Sequence, residues 1–171
     1  MGRAVLEEIA RYHNDVVDSL GLYFSEKSPD FLSRFSAYSA EEVQTELTRR
    51  LEETELRSAF VILTIVEAAF RLDYKYRCEK KLEDDLSRAF RAIHRSRKNG
   101  VRLDEDIFET WRQKQTSSRG LIGDLRGAFK FRHWIAHGRY WEPKLGRKYD
   151  FDSVYDLADI VFGNLSLHEI D

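Results

Sequence analysis

The segment SAFVILTIVEAAFRLDY, Ser58–Tyr74, is apolar nearly all the way round when wound as an α-helix. A helix of that kind belongs at the centre of a bundle, where neighbours cover every face. Two charges interrupt it. Glu67 and Arg71 stand one turn apart and can pair within the helix. A buried carboxylate needs a partner, because stripping one member from a buried pair costs roughly 3–5 kcal/mol. A cation on another helix is the alternative partner for Glu67.

Outward from this segment the helical period continues. The SAEE sequence at Ser39 has capping-box form, with Glu42 three residues on, so the helix is expected to run from there to about Lys80, with a break near Thr54. Upstream, Val5, Leu6, Ile9, Tyr12, Val16 and Leu20 space a first amphipathic helix, which Gly21 and the SEKSPD cluster loosen or end. Ser28-Pro29 reads as an N-cap followed by proline at the first helical position, opening a short turn around Phe31–Phe35. Downstream, LEDDLSRAFRAIHRSRKNG carries acids in its first turn and cations in its last, closed by Asn99-Gly100. LDEDIFETWRQKQ reads as a short helix, SSRGLIGDLRGAFKFRHWIAHG as a longer one ending at Gly138, and DSVYDLADIVFGNL as the last. RYWEPKLGRKYDF between them is a loop or a short extended piece. No repeat and no βαβ alternation appears, so the expectation is an all-α bundle of about five or six helices in one domain, residues 1–171.

Composition narrows the function. With 42% hydrophobic and 13% aromatic residues the chain can build a packed core. The net charge of −2 argues against a broad, salt-driven coat on nucleic acid and leaves room for a local basic site. A single cysteine, Cys78, forms no internal disulfide and reads as inert. The N-terminal MGRAVLEEIARYH holds acids within its apolar stretch and is not a signal peptide, and the apolar run AFVILTIVEAAF is too short to span a bilayer. A cytoplasmic protein without membrane association is the expectation. No glycine-rich phosphate loop and no serine or cysteine nucleophile motif is present.

The chemistry-bearing segment is FKFRHWIAHGRYW, Phe129–Trp141. On a helix, Leu121, Leu125, Ala128, Phe129, Arg132, Ile135 and Ala136 fall along one stripe, which places Arg132 toward the core or another subunit. Glu67 is the natural partner to hold its guanidinium. His137 ends the helix; histidine is the side chain suited to proton transfer near neutrality, and a helix C-terminus favours its charged form.

Arg132-His133-Trp134-Ile135-Ala136-His137 is an R-x4-H sequence with a polar residue directly after the arginine, at the end of a late helix and followed by glycine. Arg88 to His94 and Arg126 to His133 also fit the wider x4–x6 spacing, without that context. The Arg132–His137 pattern resembles the HEPN superfamily, small helical bundles that are usually homodimers. The resemblance implies a metal-independent endoribonuclease of a toxin–antitoxin or phage-defence system, needing no cofactor. It implies that Arg132 and His137 meet their symmetry mates in one composite catalytic site, with Glu67 as the acidic residue on an earlier helix. The products would be a 2′,3′-cyclic phosphate and a 5′-hydroxyl end. RNA would be the substrate, and an antitoxin or nucleotidyltransferase the regulatory partner. In the nucleotidyltransferase-paired subclass a modified tyrosine stands two residues after the histidine; here that position is Arg139, and Tyr140 is one further on. His133, Lys130, Arg139 and Tyr140 are the expected substrate-binding residues, with Lys144, Arg147 and Lys148 as a basic rim and Trp134 and Trp141 for base stacking. The aromatics can equally be core or dimer contacts, and the cations a solvated face.

Two rivals are weighed. A non-catalytic module of the same kind would keep the dimer and bind RNA, a nucleotide or a protein. Alternatively, His133 and His137 have the i, i+4 spacing of a zinc pair, but HWIAH lacks the glutamate of H-E-x-x-H and no third ligand is indicated. His13, His94 and His168 belong to no motif.

Overall fold

The computed structural model describes residues 2–98 and 100–168. Among them are seven α-helices and no strand: α1 Gly2–Tyr23, α2 Phe31–Phe35, α3 Ala40–Glu79, α4 Asp85–Arg97, α5 Glu109–Lys114, α6 Arg119–Ala136 and α7 Phe151–Asn164. A π-helical segment, Leu103–Phe108, runs directly into α5, and a 3-10 turn, Thr116–Ser118, precedes α6. The all-α expectation holds; the helix number exceeds it because α2 and α5 are short pieces of five and six residues. Among the described residues no helix is long and apolar enough to cross a membrane.

Helix α3 is the spine, and α1, α4, α6, α7 and the π segment all pack on it. Its capping box forms as expected: Ser39 N donates to Glu42 Oε2 at 2.7 Å, and Glu42 N to Ser39 Oγ at 3.2 Å. The expected break near Thr54 does not occur. The Thr54 hydroxyl donates to the Arg50 carbonyl at 2.9 Å, and Arg50–Glu46 and Arg57–Glu53 pairs staple the same turns. The result is one helix of 40 residues, about 60 Å long.

The central segment is not buried all round. Ala59, Ile62, Leu63, Val66 and Phe70 are sealed in the core, whereas Val61 and Leu72 are 44% and 41% exposed. Too few helices surround α3 to cover its outer face. The opening of α2 also shifts. Pro29 occupies a turn closed by Phe31 N donating to Ser28 O at 3.0 Å, and the helix starts after Asp30, whose φ of −94° and ψ of 4° suit the third position of a type I turn. Asn99, the expected stop of α4, lies outside the described residues; the helix ends at Lys98, in a positive-φ conformation.

One buried cluster joins α1 and α3 to α7, centred on Phe70, Phe90, Phe108, Leu125 and Val154. Its polar tie is Asp73, fully buried, which accepts from Arg77 Nε at 2.8 Å. Arg77 in turn donates to Asp84 and Ser87 at the start of α4 and to the carbonyl of Ser166 after α7. His168 closes the ring, with its backbone N 3.0 Å and its Nδ1 2.8 Å from Asp73 Oδ1. Asp73→Ala leaves the buried Arg77 only its longer carboxylate contact, to Asp84 at 3.3 Å, and is expected to cost at most roughly 3–5 kcal/mol, read as a lower midpoint in urea unfolding.

Candidate functional site

Helix α6 carries the site because it presents different residues to two neighbours. Its buried face is Ile122, Leu125, Ala128 and Phe131. The apolar stripe is therefore rotated from the expected one: Ala136 is exposed, and Arg132 flanks the core with 26% of its side chain exposed. Arg132 faces α3, where its Nη2 lies 2.9 Å from Glu67 Oε2. The other carboxylate oxygen, Oε1, accepts from Arg71 Nε at 2.8 Å. The two pairings read as alternatives from the sequence thus coexist, one on each oxygen. Glu67 is partly exposed, at 19%, and the fully buried carboxylate of α3 is Asp73.

The guanidinium of Arg132 also lies over two rings, 5.3 Å from the Phe60 centroid and 5.8 Å from that of Phe129. Its Nε is buried without a hydrogen-bond partner, and among the described residues Nη1 makes no hydrogen bond. The side chain is fixed in place with donor capacity unused.

His137 is the C-cap of α6, its backbone N donating to His133 O at 3.1 Å. The chain then turns in a Schellman motif: Gly138 N donates to Ile135 O and Arg139 N to Trp134 O, both at 3.2 Å. Gly138 has φ 80°, as this turn requires. The rings of His133 and His137 sit one turn apart with centroids at 4.1 Å. Arg132 and His137 do not meet in one chain. Five residues apart, they point roughly 140° from one another around the helix axis. No third ligand joins the histidine pair, and among the described residues no group of three or more His, Cys, Asp or Glu could hold a metal ion.

The expected substrate-binding residues separate. Lys130 and His133 line a cleft of about 390 Å³ on the outer face of α6, together with Arg126, Trp141 and Lys144 from the returning loop and Asp104 from the π segment. Arg139 is not there: its Nη1 donates to Glu53 Oε2 at 2.7 Å, and this bond holds the Glu53 carboxyl below the usual carboxylate range. Tyr140, 83% exposed, lies edge-on to Trp141 outside the cleft. Trp134 is a structural contact that donates from Nε1 to the Trp141 carbonyl at 2.7 Å and thereby places that residue. Arg147 covers the Tyr149 ring, and Lys148 sits near Asp150.

Sequence reading missed Asp104 and the role of Arg126. Arg126 pairs with Asp104 and donates to Glu109 Oε2 at 2.9 Å. Arg112, with Gln113 and Arg126, holds the Glu109 carboxyl at about 2. The spacing Arg126, Lys130, His133 on one helical face was the available signal.

The other histidines are structural. His13 is buried against Ser58 Oγ at 3.0 Å and stacks on Phe151 at 3.8 Å; His94 Nδ1 meets the Tyr74 hydroxyl at 3.0 Å. Burial pushes the Cys78 thiol up, which fits its inert reading.

No protein-family model, no curated protein and no solved structure matches the chain. The case for function therefore rests on the residues themselves. Gly138→Ala is expected to cost about 1–2 kcal/mol, the penalty for a side chain at left-handed φ, measured by urea unfolding, and to alter the fluorescence of Trp141.

Proposed function

We propose that the chain is a metal-independent endoribonuclease of the HEPN type, working as a homodimer. The observation that carries this reading is the Glu67–Arg132 ion pair at the partly exposed edge of α6, the helix that also carries the His133–His137 rings on another side. An arginine clamped by a carboxylate and two rings, with unused donors, suits a phosphate whose negative charge grows in the transition state. Because Arg132 and His137 diverge around α6, a second copy related by a two-fold axis is the simplest way to bring one of each to the same phosphate.

The chemistry follows. The 2′-oxygen attacks the adjacent phosphorus while one His137 takes its proton. The bond from phosphorus to the 5′-oxygen breaks as the symmetry-related His137 delivers a proton to that oxygen. The products are a 2′,3′-cyclic phosphate and a 5′-hydroxyl end, and no water, metal or redox partner enters the balance. Arg132 stabilises the phosphorane, and Glu67 is a positioning residue. DNA lacks the 2′-hydroxyl and is spared. A toxin or phage-defence role, with an antitoxin or nucleotidyltransferase partner, comes with the HEPN resemblance of the Arg132–His137 motif.

A second reading has its own observation. The cleft lined by Lys130, Trp141 and Lys144 contains binding groups and neither Arg132 nor His137, as a non-catalytic dimeric module for RNA, nucleotide or protein would.

Cleavage of a mixed-sequence RNA in EDTA decides between them. Wild type should yield cyclic-phosphate ends; His137→Ala and Arg132→Ala should each lose about 10²–10⁴-fold in rate, and Glu67→Gln less. Undiminished cleavage by both alanine variants would remove Arg132 and His137 from the chemistry, and a folded dimer that cleaves nothing would favour the binding module.

A further inference from the structure

We infer that the outer face of α4, with Lys81 just before it, is a docking track for the phosphate backbone of RNA, separate from Arg132 and His137. The inference deepens the ribonuclease reading by saying where the uncut part of the strand is held, and it rests on that reading for RNA as the polyanion.

Charge is unevenly placed along the chain. Residues 80–102 hold eight arginines and lysines against three acids, while the whole chain carries −2, so the remainder stands at −7. A basic stripe on one helix of an otherwise acidic chain is the electrostatic footprint of a nucleic-acid partner. Helix α4 organises these cations. Arg88, Arg91 and Arg95 fall within roughly 60° of one another around its axis, and Lys98 follows at its end. The four span about 15 Å along the helix, room for several successive phosphates of one strand. Leu86 and Phe90 are buried, so the apolar side of α4 is taken up by the core and only the charged side is left to a partner. A helix that docks on a membrane surface needs that apolar side free.

Most of these charges are unopposed. Arg88 pairs with Asp85. Arg91 donates to the neutral carbonyl of Leu82, which brings it to the turn that holds Lys81. Lys81, Arg95 and Lys98 are exposed, and their side chains have no partner among the described residues. The helix macrodipole accounts for Arg95 and Lys98 at the end of α4, and not for Lys81 or Arg91. Arg91 stands three residues from Arg88 and four from Arg95, spacings at which like charges repel. An anionic strand laid along the stripe relieves that repulsion.

The track adjoins the outer cleft of α6. Arg97 Nε lies 2.9 Å from Asp106 Oδ1 and ties the end of α4 to the π segment. Asp104, in the same segment, lines the cleft with Lys130 and Lys144. The cations of α4 and those of the cleft therefore flank one short piece of chain, which lets a single strand touch both.

The test separates binding from cleavage. A short labelled RNA of mixed sequence is titrated with His137→Ala protein in EDTA at several salt concentrations, following fluorescence anisotropy. Adding Lys81→Gln, Arg95→Gln and Lys98→Gln together should weaken binding at least about tenfold at 0.1 M salt and flatten the log–log salt slope by about 2, the loss of three phosphate contacts to a single strand. Circular dichroism should be unchanged and the thermal midpoint not lowered, because the replaced side chains hold nothing in the fold. Arg11→Gln, Lys27→Gln and Arg119→Gln together remove the same charge elsewhere and should change affinity less than about twofold. DNA of the same sequence should bind within about threefold of the RNA, since backbone contacts carry no base information. Equal losses in the two triple variants, or an affinity and salt slope untouched by the α4 variant, would overturn the inference. So would α4-dependent capture of phosphatidylserine–phosphatidylcholine vesicles by a protein that binds no RNA. Binding that depends on α4, in a protein whose wild type cuts no RNA, would sink the ribonuclease reading and keep the track. Cleavage by a protein whose RNA affinity ignores the α4 variant would do the reverse.

Discussion

Asp73 is the charge on which the packing of this chain depends. It is fully buried, and its carboxylate is made tolerable by Arg77, by the backbone N–H of His168 and by the His168 ring. Those same partners reach the start of α4 and the segment after α7. A single buried ion pair thus gathers three parts of the chain that are far apart in sequence. The apolar cluster from Phe70 to Val154 supplies the non-directional attraction. The Asp73–Arg77 network sets the register in which those surfaces meet, because any other register would leave a buried charge unpaired.

The candidate site uses the opposite arrangement. Glu67, Arg71 and Arg132 form a bridge that is partly open to water, on the same helix as Asp73 but one side over. Exposure lowers what such pairs contribute to stability, typically to about 1 kcal/mol or less. It also leaves the guanidinium accessible. The fold seals one charge pair in its core and leaves the other open to water, and α3 carries both.

The helical architecture was legible because apolar spacing, caps and glycine stops agree along most of the chain. The capping box at Ser39 is local and needs only short-range geometry. Glu67 and Arg132 could be paired in advance because each is a charge set against an apolar stripe, and such charges seek one another. The reading failed where tertiary packing decides. No local pattern states how many neighbours α3 has, so the exposure of Val61 and Leu72 was invisible. The expected break near Thr54 is absent because charge pairs on either side carry the helix through. Asp104 could not be placed beside Arg126 because its position depends on a π register, and Arg139 could not be separated from Lys130 because its partner, Glu53, lies 86 positions away.

Glu53, Phe60 and Glu67 follow one another at intervals of seven residues along α3, and all three meet the end of α6 and its turn: Glu53 holds Arg139, while Phe60 lies beneath Arg132 and Glu67 pairs with it. Two helical turns separate each from the next, so the three form a ruler laid against α6 and its following loop. Inserting or deleting one residue between Glu53 and Glu67 would swing one end of that ruler by roughly 100° relative to the other. Over this stretch the chain can drift in composition but not in length. Toward Ala40, beyond the ruler, Val43 is the one buried residue of α3 before Ser58, and length can change there without disturbing the alignment.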